Sequence, residues 1–214
     1  MMTEPDVTLS DYGLAIECAV FTYLLCRRRD LQHPLRFWFM LFFGSAGVAA
    51  ITGGTTHGFF LDEATQGYAI LWPITLTAIG LSALAGWAIG AKLLFSRGIA
   101  RVISIVAAME FAAYCFAVLF VNQTFMVAVI NYLPAAVFLT VALGIVYARY
   151  RERELLIGLS GLAIIFVAAG VQHGGIALHP VYFNHNALYH VIQAVALFMI
   201  FRGARWLVRR RPKE

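Results

Sequence analysis

The chain has 214 residues, of which 61% are hydrophobic and 13% charged, and its mean hydropathy is +0.79. Apolar stretches so numerous and so long exceed what one soluble core buries, which excludes a soluble globular enzyme and points to one polytopic membrane domain over residues 1–214. The net charge of +5 calls for no nucleic-acid partner, because all sixteen Lys and Arg fall on the side of the apolar runs that is predicted to be cytoplasmic, where topology and contact with anionic lipid explain them.

The start, through Asp6, is acidic and lacks the basic flank and small-residue cleavage site of a signal peptide, so it is expected to be retained. Seven apolar runs then follow, at about 9–26, 35–60, 68–94, 99–121, 125–148, 155–176 and 185–201. Connecting stretches containing Arg27, Lys92, Arg151 and Arg202 alternate with stretches around Asp62, Asn122 and His179 that hold no Lys or Arg. The positive-inside rule therefore predicts a seven-helix transmembrane bundle with its N-terminus outside and its C-terminus inside. A multi-pass protein of a plasma membrane or bacterial inner membrane fits this pattern. Cys18, Cys26 and Cys115 form no CxxC pair and lie away from the outer loops, so neither a disulfide framework nor a thiolate metal site is expected.

A short internal repeat relates the second and third helices to the sixth and seventh. Thr56-His57-Gly58 aligns with Gln172-His173-Gly174, and Leu71-Trp72 with Leu188-Tyr189. Both copies enter the membrane in the same sense, which implies a parallel repeat of helices 1–3 and 5–7 on either side of the fourth.

Polar residues in lipid must face the bundle interior. On the seventh helix Asn186, His190 and Gln193 follow i, i+4, i+7 spacing and form one polar stripe; His185 precedes it and is offset by one position. The second helix carries Ser45, Thr52 and Thr56, with His57 one position round, and Gln172 and His173 close the sixth. His57, His173 and His190 are therefore expected at similar depth beneath the outer surface. Three neutral imidazoles around an open position are a zinc arrangement that activates water, with Asp62 as base or second partner and His185 as substitute ligand. The bland alternative is histidines that hydrogen-bond across helices. His179, beside Pro180, reads as a solvated loop residue, and His33 lies in the basic inner loop.

Glu17 and Glu110 lie midway along the first and fourth helices, where each must be protonated or paired. Asn131 on the fifth helix is a possible partner, and Glu110 a possible polar contact for substrate. A retinal protein is excluded, because 185–201 holds no Lys for a Schiff base. Haem held axially by His57 and His173 is an alternative cofactor to zinc.

A histidine at the outer end of the second helix, an acid before the third, and Asn186-Ala187-Leu188-Tyr189-His190 opening the seventh together resemble the superfamily of alkaline ceramidases and progestin-and-adipoQ receptors. The resemblance implies seven helices and a zinc held by a second-helix histidine and an HxxxH pair on the seventh, with hydrolysis of a lipid amide or ester. His57 would match the former and His190 the second member of the pair. Asn186 stands where the first histidine of the pair would be, and Gly53 where the family has serine. The expected function is thus a membrane-embedded zinc hydrolase of a lipid-like substrate. The alternative is a non-enzymatic receptor or small-molecule transporter using the same histidines, with membrane lipids as the common partner and the oligomeric state left open.

Overall fold

Helix boundaries follow local chemistry. In the computed structural model, which describes residues 2–27, 33–179 and 181–209, seven α-helices run α1 Pro5–Cys26, α2 Arg36–Phe59, α3 Gln66–Leu94, α4 Arg97–Phe120, α5 Phe125–Tyr150, α6 Arg153–His173 and α7 His185–Arg209. Pro5 opens α1, where its missing N–H is not needed. The Arg36 guanidinium donates to the carbonyls of Leu25 and Cys26, satisfying the free end of α1 with a cation. Thr65 caps α3 by accepting from the Tyr68 N–H. Asn184 opens α7, its Oδ1 accepting from the backbone N–H groups of Asn186 and Ala187. Gly175, at φ +63°, turns the chain after α6 and stops that helix before 176. At the other end, α7 continues through the basic residues to Arg209, past the expected 201.

The helices are 21 to 29 residues long, enough at about 1.5 Å per residue to cross a hydrocarbon core about 30 Å thick. All seven are apolar enough to span a membrane, so the chain is a seven-helix, multi-pass membrane bundle. Among the described residues the one β feature is the bridge between His179 and Phe183 in the α6–α7 loop.

Six helices close into a ring in the order α1, α2, α3, α5, α6, α7, while α4 lies outside it against α3. That order is the one a parallel three-helix repeat requires, with α4 as the connector. Tyr114 of α4 donates to the Leu76 carbonyl at 2.8 Å, and its ring occupies the space a Cβ at Gly80 would need. α1 and α7 run parallel, since Ser10 meets His190 and Phe21 meets Phe201.

Without a hydrophobic drive between helices in lipid, close approach depends on small residues. On α2, a Cβ at Gly54 would fall 2.6 Å from Asp11 Cβ, and one at Gly58 would fall 2.7 Å from Thr8 Oγ1. On α6, a Cβ at Gly158 would fall 3.1 Å from Gly203 Cα of α7. The arginine-rich half of the ring is filled: Phe21 stacks on Phe201 at 4.2 Å with Phe43 edge-on to both, and Leu25, Leu155 and Val208 are fully packed around them. The histidine half is hollow.

Candidate functional site

The hollow is a cavity of about 350 Å³ walled by α1, α2, α3, α5, α6 and α7. Its polar side chains are concentrated toward the histidine end. On α2 the wall runs Phe42, Ala46, Ala50, Gly53 and His57 from depth to surface; on α6 it runs Ile165, Phe166, Ala169 and Gln172. The repeat is legible in the wall, because Trp72 and Tyr189 both face the cavity, as do Gly53 and Ala169.

His190 is held on both sides. Ser10 Oγ donates to the Val7 carbonyl at 2.8 Å and lies 3.2 Å from His190 Nδ1. The Val7 bond takes the only hydroxyl proton, so Nδ1–H donates to Ser10 and His190 Nε2 faces Asp11 Oδ1 at 3.4 Å. Asp11 is buried and lines the cavity, whereas Ser10 is not part of the wall. Ser10 therefore orients the imidazole and is not positioned to attack a bound molecule. A proton moved between Asp11 and His190 would interchange an ion pair and a neutral pair, so the two groups have the chemistry to donate or accept a proton at the cavity surface.

His57 is held in the same manner. Its Nδ1 lies 2.6 Å from Glu4 Oε2, and its ring meets Trp72 edge-on at 6.4 Å. A carboxylate on Nδ1 fixes the tautomer and leaves Nε2 as the free nitrogen of a wall residue. Beside these groups, Gln172 Nε2 donates to Asn186 Oδ1 at 3.2 Å, tying α6 to α7 at the cavity's polar end.

The structure thus brings His57, His190, Gln172, Asn186 and Gln193 into one wall. It does not bring the other expected residues there. His173 is exposed at the end of α6, and the helical register turns Gln172 inward in its place. His185 is half-buried at the first position of α7, outside the wall that holds His57. Asp62 is exposed and shapes the α2–α3 loop, accepting from the Ala64 N–H at 2.9 Å. Thr56 is buried but bonds its own helix, donating to the Thr52 carbonyl at 2.9 Å. Glu110 sits outside the ring on α4, where it accepts from Asn131 Nδ2. The axial pair His57 and His173 does not face a common space. Among the described residues, no three His, Cys, Asp or Glu side chains are gathered closely enough to hold a metal ion.

Sequence reading missed Glu4, Ser10, Asp11, Trp72 and Tyr189. The signal for Asp11 is present: Val7, Asp11, Leu14, Cys18, Phe21 and Leu25 form one buried helical stripe, and an acid on such a stripe is an interior acid. Starting the first helix at residue 9 left Asp11 at the water boundary.

No curated protein matches the chain, and no solved structure does. Residues 7–208, nearly the whole bundle, match the model of a family of unknown function, DUF6962, and the chain belongs to that family.

Proposed function

We propose that the protein binds a lipid-like molecule in the histidine half of the bundle, as a receptor or transporter does, with the molecule's polar group at Asp11, His190 and His57. The observation that carries this reading is the polarity gradient of the cavity. Most hydrogen-bonding groups line its histidine end, while Leu14, Phe42, Ile165 and Leu197 line its depth, where the Ser82 hydroxyl is already tied to Ser45 at 2.7 Å. An amphipathic molecule satisfies both ends; a wholly polar one leaves the apolar depth unmatched, and a wholly apolar one offers nothing to the free Nε2 of His57 at the polar end.

One observation favours a second reading, a zinc-dependent hydrolase of a lipid amide or ester. Glu4 holds His57, and Ser10 holds His190, each through Nδ1, which is how ligand histidines are oriented at zinc sites. His57, His190 and Asp11 would be the ligands, drawn together from their present separation, and zinc there would supply a Lewis acid.

Elemental analysis and native mass spectrometry of the detergent-purified protein test both, on the wild type and on His190→Ala. A co-purifying lipid without zinc, lost from His190→Ala, supports the binding reading. Near-stoichiometric zinc, lost in the same variant, supports the hydrolase. If neither lipid nor zinc is retained by the wild type, both readings fail.

A further inference from the structure

We infer that the cavity opens sideways into the bilayer between α5 and α6, and that a single-chain lipid of the leaflet at the histidine end enters there. This rests on the lipid-binding reading above and names its ligand class and route.

Of the described residues lining the cavity, two are exposed, Leu133 on α5 and Ala169 on α6. They lie on adjacent helices of the ring, and the α5–α6 seam is the most loosely packed joint in it. A side chain that faces both the cavity and the exterior marks a place where the wall is one residue thick. Both residues lie in the histidine half, Leu133 two turns below the start of α5 and Ala169 one turn below the end of α6.

The internal repeat supplies an independent comparison. Extending its register one turn aligns Gly54 of α2 with Gly170 of α6. At Gly54 the neighbouring helix is so close that a Cβ would strike Asp11. At Gly170 no atom outside its own helix backbone and chain neighbours lies within 4 Å of where a Cβ would be. The joint between α1 and α2 is closed, and its counterpart between α5 and α6 is not. Pro134, next to Leu133, removes a backbone hydrogen bond from α5 at the level of the opening and lets that helix bend.

The surroundings favour a lipid as the occupant. The α6–α7 loop at the histidine end of the bundle exposes Ile176, Leu178, Val181 and Tyr182, an apolar lip suited to the membrane interface. The polar groups of the cavity stand at the level of a headgroup and the apolar ones below, the orientation of a lipid in that leaflet. At about 350 Å³ the cavity is at the lower end of small-ligand sites, about 300–1,000 Å³, which favours a lipid with one chain over one with two.

The test uses p-benzoylphenylalanine in place of Tyr189, a wall residue on α7 away from the seam, in phosphatidylcholine vesicles containing palmitoyl lysophosphatidylcholine. The same photoprobe at Ile130, exposed on α5, reports contact with bulk lipid and correct insertion. Irradiation is expected to give a lysolipid adduct at position 189. That adduct should be largely lost when Ala169→Phe or Gly170→Phe fills the seam, with the adduct at 130 unchanged. The open space at Gly170 lets the second variant fold. Equal yield at 189 with and without the seam-filling substitutions overturns the portal and leaves lipid binding standing. Labelling at 130 with none at 189 in the otherwise unaltered chain overturns the lipid occupant itself, and the portal with it.

Discussion

Asp11 on the first helix and His190 on the last face one another at 3.4 Å, with Ser10 fixing the far side of the imidazole and the cavity in front. Removing one member leaves the other buried without its partner, so His190→Ala is expected to destabilise the bundle by about 3 kcal/mol. Replacing both, as Asp11→Leu with His190→Leu, should cost less than the two single changes added together. Reversible unfolding in mixed micelles measures His190→Ala, the two single leucine changes and the double change. Strict additivity would show that the two groups do not interact.

Equivalent glycines should respond in opposite directions. Gly54→Ala places a methyl group 2.6 Å from Asp11 Cβ and is expected to cost about 1–3 kcal/mol by forcing α1 from α2. Gly170→Ala meets nothing and is expected to stabilise α6 by roughly 0.5–1 kcal/mol, the helix preference of alanine over glycine. Thermal melting of the two variants side by side checks the sign; a loss at Gly170 comparable to that at Gly54 contradicts the open seam.

Glu4 acts on the site through His57, which it holds at 2.6 Å. Glu4→Ala should leave the cavity wall intact while freeing the His57 ring, and Glu4→Gln should retain part of the effect because an amide oxygen still accepts from Nδ1–H. If the purified protein holds zinc, affinity should fall about 10–100-fold in Glu4→Ala, as read by competition with a chelator. Unchanged affinity would remove Glu4 from the site.

The orientation follows from charge placement and is open to direct measurement. In a background where Cys18, Cys26 and Cys115 are replaced by Ala, Asn122→Cys between α4 and α5 should react with a membrane-impermeant maleimide added to intact cells. Ser96→Cys between α3 and α4 should react only after permeabilisation. The reverse pattern would invert the bundle and move the cavity to the other leaflet.

Much of the architecture was legible because its causes are local. Hydropathy over a span and the positions of Arg fix seven helices and their alternation without reference to any neighbour. The 3.6-residue period likewise put Asn186, His190 and Gln193 on one face of α7, and the structure finds all three in the cavity wall. What the sequence by itself determined, then, was the number of spans, the end of the bundle that carries the histidines, and the inward stripe of α7.

Only the tertiary structure decided which groups meet there. Asp11 joins His190 because Gly54 and Gly58 let α1 lie against α2. Gln172 takes the wall position that His173 was expected to fill because α6 is turned by its contact with α7 at Gly158, Gly161 and Gly203. α4 stands outside the ring, taking Glu110 with it, because Tyr114 fits over Gly80 of α3. The rotation and neighbours of a helix in lipid are set by close packing between residues far apart in sequence, and no periodicity within one helix records which surface it will meet.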